Sequence, residues 1–179
     1  MNPANKATML RIILIPFFVA CFYIKTEAAH YIAFAIFLIA SLTDLWDGWY
    51  ARKHNLVTNF GKLMDPMADK LLYCTAFILF CAQGTIGPIV TIVFIARELV
   101  ISAFRLIAAE RGVVIAAGKL GKAKTALQFV ALSLLLLDNP IFRLWNIPMD
   151  QIMVYTAAFF TVISCAEYII KNKDVLKEQ

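Results

Sequence analysis

The chain has 179 residues and a formal net charge of +5, with 61% hydrophobic and 16% charged residues and a mean hydropathy of +0.75. A soluble globular domain of this length cannot bury so much apolar surface, whereas a helical bundle in a bilayer exposes it to lipid. The composition therefore argues against a soluble fold, and it predicts one all-α integral membrane domain over residues 1–179.

Six apolar stretches follow one another, each close to the roughly 20 residues that a helix needs to cross a bilayer. Turn signals or charges separate them. The predicted transmembrane helices are residues 8–25, 30–52, 63–83, 87–110, 120–138 and 149–170. Residues 1–7 are interpreted as a short N-terminal interfacial segment, and Pro66 is expected to start or kink the third helix. The first helix contains Arg11 and lacks a small-residue cleavage site, which argues against a signal peptide.

Lysine and arginine are unevenly distributed along this pattern. With six transmembrane helices both termini lie on one side, and most of the 17 basic residues fall on that side. In the opposite loops the basic residues are Lys25 and Arg143. The positive-inside rule therefore predicts cytoplasmic termini. The net charge suits an anionic membrane surface and an anionic substrate equally well, and no nucleic-acid partner is expected.

Four carboxylates interrupt the second and third predicted helices near their cytoplasmic ends. They are Asp44, Asp47, Asp65 and Asp69. Ionised carboxylates are costly at membrane depth, so they indicate function. Each set lies on one helical face, and two helices that turn these faces together would surround one small volume with carboxylates. Ligands that are all oxygen favour Mg²⁺, Mn²⁺ or Ca²⁺, and Mg²⁺ leaves positions for substrate phosphates. The pattern predicts a divalent metal site with a phosphate-bearing substrate.

Small residues share the faces of these acids, namely Gly48, Ala51 and Gly61. Close helix packing is the structural explanation, because small residues are favoured where membrane helices meet. Beside carboxylates they also leave room for a flat or phosphorylated group. For the acids, the alternative is simple pairing with nearby cations, which does not explain why acids and small residues share inward faces. Those cations are Arg52, Lys53, Lys62 and Lys70.

The string Asp44-x2-Asp47-Gly48-x2-Ala51-Arg52-x8-Gly61-x3-Asp65-x3-Asp69, here called the signature, resembles the full signature of the CDP-alcohol phosphotransferase family. The resemblance implies a six-span membrane enzyme, commonly a homodimer. Such an enzyme transfers a phosphatidyl or related group from a CDP-linked donor to an alcohol and releases CMP.

The resemblance also implies roles for individual residues. Asp44, Asp47 and Asp65 would hold two metal ions, either Mg²⁺ or Mn²⁺. Asp69 would lie near the ions and act as general base. Gly48, Ala51, Arg52 and Gly61 would lie around the CDP group. Asn5, Thr8 and Arg11 resemble an N-terminal Asn-x2-Thr-x2-Arg motif that approaches the nucleotide, although Ala4 stands where proline is usual.

A second basic stretch indicates an anion pocket. Arg97 and Arg105 are eight positions apart on a helix and share a face, and Lys122 begins the next helix on the same cytoplasmic side. Arg97 is interpreted either as an ion pair, with Glu167 as a candidate partner, or as a substrate ligand. For Arg105 and Lys122 the alternatives are positive-inside anchoring and a phosphate clamp.

Residues 96–98 and 118–125 resemble the bacterial phosphatidylglycerophosphate synthase subgroup of the family. In that subgroup the donor is CDP-diacylglycerol and the acceptor sn-glycerol 3-phosphate. The basic residues assigned to the acceptor phosphate are Arg105, Lys122, Arg97 and Lys124. Inositol phosphate, serine and phosphatidylglycerol stay open as acceptors. A divalent-cation carrier is the non-enzyme alternative, disfavoured because the acids cluster at one end of the helices. No transit peptide precedes the first helix, which favours a bacterial plasma membrane.

Overall fold

The computed structural model describes the backbone of residues 3–24, 26–53, 59–113, 115, 118–140 and 142–173. Inside the helices, the side chains of residues 3–7, 27, 44–53, 59–66 and 69 lie outside the description. Over the described residues the chain forms six α-helices and no strand. The helices are α1 (Pro3–Tyr23), α2 (Glu27–Lys53), α3 (Asn59–Ala82), α4 (Pro88–Glu110), α5 (Lys119–Leu136) and α6 (Met149–Lys171).

All six predicted helices are therefore confirmed as helices, and two details of the prediction are wrong. Residues 3–7 belong to α1 and form no separate segment. Pro66 does not start the third helix, because α3 begins at Asn59 and continues through the proline; a kink at Pro66 stays a prediction. A short 3-10 helix, Phe142–Trp145, lies between α5 and α6 and was not predicted.

By length and composition, one helix in the described part of the chain is apolar enough to cross a membrane, namely α6. Three other helices contain shorter apolar segments, at Thr8–Tyr23, Ala28–Thr43 and Lys70–Ala82. Charged residues interrupt α4 and α5, among them Arg97, Glu98 and Lys124. The all-helical fold is confirmed, and the crossing of a membrane by all six helices stays a prediction.

The chain divides into two compact units, Met1–Phe80 and Cys81–Gln179. In the first unit α1 packs against α2. Aromatic pairs connect both helices to α3: the ring centroids of Phe22 and Phe80 are 5.1 Å apart, and those of Phe37 and Tyr73 are 5.4 Å apart. Edge-to-face contacts of this kind fix the three helices against one another.

Two buried stripes line the core of the first unit. On α2 the stripe consists of Ala29, Ala33, Phe37 and Ala40, none of them more than 3% exposed. On α3 it consists of Ala68, Leu72, Ala76, Phe77 and Phe80. Alanine is the smallest of these side chains and lets neighbouring helices approach closely, as is common in membrane proteins.

In the second unit α6 packs against both α4 and α5. Its buried face carries hydroxyls that are satisfied within the helix: Thr161 Oγ1 donates to the Ala157 carbonyl at 2.6 Å, and Ser164 Oγ donates to the Thr161 carbonyl at 3.1 Å. The connection from α5 to α6 turns at Asn139, whose φ of 52° is left-handed. The Asn139 amide donates to the Ile147 carbonyl at 2.8 Å, which closes the connection.

Candidate functional site

The signature lies on helices whose backbone is described but whose side chains at these positions are not. Asp44 and Asp47 belong to α2, and Asp65 and Asp69 belong to α3. Five of the residues predicted to bind the CDP-linked donor also have side chains that the structure does not describe. They are Asn5, Gly48, Ala51, Arg52 and Gly61. No group of three or more His, Cys, Asp or Glu that could hold a metal occurs among the described side chains, which do not include the four aspartates. The metal site stays a prediction.

The helical face that carries the buried stripe of α2 continues along the helix to the signature positions. Its described members, from Ala29 to Ala40, follow spacings of four, four and three residues, which keep them within an arc of about 80° at about 100° per residue. The same spacing reaches positions 44, 47 and 51 further along α2, and all three fall inside this arc. Position 48 falls about 20° outside it by the same count.

The stripe of α3 extends in the opposite direction. From Ala68 to Phe80 its members occupy an arc of about 180° at about 100° per residue, and each is at most 5% exposed. Positions 61, 65 and 69 fall inside that arc when the helix is followed back toward its start. Helical register therefore places positions 61, 65 and 69 on the side of α3 that carries this stripe further along the helix.

Two residues of the N-terminal motif are described and both are buried. Thr8 is 0% exposed and Arg11 is 1% exposed. A buried guanidinium needs opposite charge or hydrogen bonds, and the acids within residues 1–80 are Glu27 and the four aspartates of the signature. Because residues 24–26 are the whole connection between α1 and α2, the two helices run antiparallel. Counted outward from this connection, Arg11 lies level with the middle of α2.

An ion-pair cluster links α4 to α5 in the second unit; we call Arg97, Glu98 and Lys124 the buried triad. Arg97 Nη1 lies 3.1 Å from Glu98 Oε1, and Lys124 Nζ pairs with the same oxygen. The three side chains are 13%, 14% and 3% exposed. Two cations and one carboxylate leave these three residues with a net charge of +1.

The triad corrects one interpretation of the sequence. The partner of Arg97 is its neighbour Glu98 and not Glu167, which pairs instead with Lys171 one turn away on α6. Gly121 adjoins the triad, since a Cβ at this position would lie 3.7 Å from Arg97 Nη2. Arg97 Nε is buried and has no hydrogen-bond partner in the described part of the chain.

Arg105 and Lys122 differ from the triad because both are exposed. Arg105 Nε donates a hydrogen bond of 3.3 Å to the Tyr168 hydroxyl on α6, and its guanidinium carbon lies 5.7 Å from the centre of the Tyr168 ring. Lys122 lies in the first turn of α5. The structure therefore separates the four predicted phosphate ligands into a pair bound to Glu98, in which Lys124 is buried and Arg97 is partly buried, and an exposed pair.

The family model for CDP-alcohol phosphatidyltransferase matches residues 1–163. The chain belongs to this family. A protein of Bacillus subtilis (strain 168) called CDP-diacylglycerol–glycerol-3-phosphate 3-phosphatidyltransferase is 43% identical, over 98% of this chain and 97% of the relative. Proteins of the same name are similar in Rickettsia felis, at 37% identity over 93% of each chain, and in Haemophilus influenzae, at 41% identity over 90% of this chain and 88% of the relative. The resemblance drawn from the signature is confirmed.

Within this member of the CDP-alcohol phosphatidyltransferase family, sequence reasoning missed three polar residues of the second unit. Glu98 had no assigned role, although a carboxylate beside Arg97 was a signal for an ion pair. Tyr168 had no assigned role, because only the fold brings α6 to Arg105. Gln128 lies one turn beyond Lys124 on α5 and is 2% exposed, and its Nε2 has no hydrogen-bond partner among the described residues.

Proposed function

We propose that this chain transfers the phosphatidyl group of CDP-diacylglycerol to sn-glycerol 3-phosphate, giving phosphatidylglycerophosphate and CMP. Relatives with this activity in their names match nearly the whole chain at 37% to 43% identity. One observation of the structure carries the assignment of the site. Signature positions 44, 47 and 51 share a helical face with the buried stripe of α2, and positions 61, 65 and 69 share one with the buried stripe of α3.

The aspartates fit divalent cations by their chemistry, because hard cations prefer carboxylate oxygens and the set contains no His or Cys. We assign Asp44, Asp47, Asp65 and Asp69 as ligands of two ions, Mg²⁺ or Mn²⁺. When bound, such ions neutralise the donor pyrophosphate and the charge that develops on departing CMP. Register with buried stripes supports this assignment, since carboxylates on an inward face need cations to offset their charge.

The residues of the first unit have separate tasks in this proposal. Asp69 accepts the proton of the acceptor's primary hydroxyl. The hydroxyl oxygen then attacks the β-phosphorus of the donor, and CMP leaves. Gly48, Ala51 and Gly61 are small and leave space for the CDP group beside the backbone. Four cationic or polar side chains bind its charged parts. They are Asn5, Thr8, Arg11 and Arg52.

The acceptor phosphate is assigned to the second unit. Arg105 and Lys122 are its main ligands, because both are exposed and neither is bound to a carboxylate among the described residues. Arginine offers a planar fork that matches a phosphate, and lysine adds a point charge. Arg97 and Lys124 act mainly through the net positive charge of the buried triad.

A bacterial plasma membrane is the proposed location, with the signature facing the cytoplasm. Large apolar side chains cover the outer faces of α4 and α6, and they include Ile92 at 63%, Leu99 at 65% and Phe159 at 62% exposure. Apolar surface of this extent suits lipid, and the basic residues favour the cytoplasmic side. Assembly as a homodimer is proposed from the family resemblance alone.

Release of CMP from CDP-diacylglycerol by the purified chain tests the proposal. With Mg²⁺ and sn-glycerol 3-phosphate we expect CMP and phosphatidylglycerophosphate in equal amounts. EDTA should stop the reaction, and Mg²⁺ or Mn²⁺ should restore it. CMP release that persists in EDTA would contradict the metal assignment. Faster turnover with inositol phosphate, serine or phosphatidylglycerol would contradict the acceptor, and ion flux into liposomes without CDP-lipid would favour a carrier.

The acceptor clamp makes a separate prediction. Arg105→Ala should raise the apparent KM for glycerol 3-phosphate about tenfold to a hundredfold, because a hydrogen bond to a charged group contributes about 1.5–3 kcal/mol. The KM for CDP-diacylglycerol should stay unchanged. Arg143→Ala is the matched control, since Arg143 is 74% exposed and pairs with Asp138 between α5 and α6. Equal changes in both KM values would argue against the clamp.

A further inference from the structure

Tyr168 connects the core of the second unit to the exposed Arg105. Its ring is 8% exposed and packs edge-on against Phe104, with ring centroids 5.7 Å apart and planes at 81°. Ile101, Phe104 and Tyr168 form one buried apolar cluster of α4 and α6. The hydroxyl of this fixed ring accepts the hydrogen bond from Arg105 Nε at 3.3 Å.

The choice of nitrogen matters for what Arg105 can bind. A guanidinium has five N–H donors, and the pair that grips a phosphate in a two-pronged manner can be the two terminal nitrogens. Because Tyr168 uses Nε, the four donors on the terminal nitrogens stay available. An exposed arginine would otherwise lose rotamer freedom when it binds a ligand. A side chain already held at Nε loses less.

We infer that Tyr168 is a positioning residue for the acceptor: its hydroxyl holds Arg105 at Nε and leaves the two terminal nitrogens to bind the acceptor phosphate. This inference rests on the proposed role of Arg105. Packing alone does not require the hydroxyl, because a phenylalanine ring would fill the same place against Phe104 and Ile101. Arg105 is the hydrogen-bond partner that the structure gives to this hydroxyl.

Tyr168→Phe isolates the hydroxyl because it keeps the ring. We expect the apparent KM for glycerol 3-phosphate to rise about threefold to tenfold, as for loss of one hydrogen bond. The KM for CDP-diacylglycerol, kcat at saturating acceptor and the midpoint of thermal unfolding should not change. Tyr155→Phe is the matched control, because Tyr155 lies on the same helix and is 59% exposed.

A double-mutant cycle shows whether the hydroxyl acts through Arg105. In the Arg105→Ala background, Tyr168→Phe should have no further effect on the KM for glycerol 3-phosphate. In the Arg105→Lys background it should also have none, since lysine has no Nε–H to be held. Effects that multiply independently would overturn the inference. So would an equal rise in both KM values or a lower unfolding temperature, because either would indicate a structural role.

The two ideas can fail separately in this experiment. If Arg105→Ala leaves the KM for glycerol 3-phosphate unchanged, then the clamp in the proposed function fails and the inference falls with it. If Arg105→Ala raises this KM while Tyr168→Phe does not, then the clamp stands and the positioning role of Tyr168 is wrong. If the unmodified protein releases no CMP with any acceptor, then the proposed reaction itself is wrong.

Discussion

Asp69→Asn is expected to lower the rate of CMP release by about 10²-fold to 10⁴-fold, the range that a positioned general base contributes. Asparagine has nearly the size of aspartate and keeps a carbonyl oxygen, but it cannot take up the proton of the acceptor hydroxyl. The helix should tolerate the change, since Asn and Asp have similar helix propensities. The measurement is CMP release by the purified variant with saturating CDP-diacylglycerol, glycerol 3-phosphate and Mg²⁺.

Asp138→Asn provides the control, because its side chain is 73% exposed between α5 and α6 and lies far from the signature in the sequence. It should leave the rate unchanged. A metal titration separates the two roles proposed for Asp69. If the loss comes from weaker metal binding, then high Mn²⁺ or Mg²⁺ should recover the rate; if it comes from the missing base, then the rate should stay low at saturating metal. Undiminished turnover would remove Asp69 from the mechanism.

The number and order of the helices could be predicted because hydropathy is a local property of the chain. The two errors in helix boundaries also have local causes. Hydropathy alone does not show that residues 3–7 continue the first helix. It also does not show that Pro3 suits the first helical position, where the hydrogen bond that proline lacks would be missing anyway. Inside a helix proline removes one hydrogen bond, and α1 at Pro16 and α3 at Pro66 continue through it.

Helical faces could be predicted for the same reason, and pairings between helices could not. The register of the signature along α2 and α3 follows from about 3.6 residues per turn. The pairing of Glu98 with Lys124 joins residues 26 positions apart, and it depends on how α4 and α5 pack. Arg97 and Arg105 differ by about 80° around α4 at about 100° per residue. That difference is enough for the fold to cover most of the Arg97 side chain and to leave Arg105 exposed.

The buried triad leads to the largest expected effect on stability. Glu98→Gln removes the carboxylate that Arg97 and Lys124 share, and it leaves two positive charges close together on side chains 13% and 3% exposed. Removing one partner of a buried ion pair costs about 3–5 kcal/mol. For a chain of this size such a loss lowers the unfolding temperature by about 10 °C. Thermal unfolding of the detergent-purified protein measures it.

Two further variants show that charge is the cause. Glu167→Gln breaks the pair with Lys171, whose side chain is 69% exposed, and an exposed pair of this kind contributes at most about 1 kcal/mol. In the double variant Glu98→Gln with Lys124→Gln, the net charge of the triad returns to +1 and most of the lost stability should return. Equal loss in the single and double variants would mean that packing, not charge, explains the effect.

The same double variant separates the two roles of Lys124. If Lys124 contributes only to the charge balance of the triad, then the double variant should regain its stability and its KM for glycerol 3-phosphate should stay within about twofold of the unmodified protein's. That change is well below the effect expected for a lost charge-assisted hydrogen bond. If Lys124 binds the acceptor phosphate directly, then this KM should rise about tenfold or more while the unfolding temperature recovers. Because stability and acceptor affinity are measured on one variant, the ion pair seen with Glu98 and the predicted phosphate contact can be tested independently.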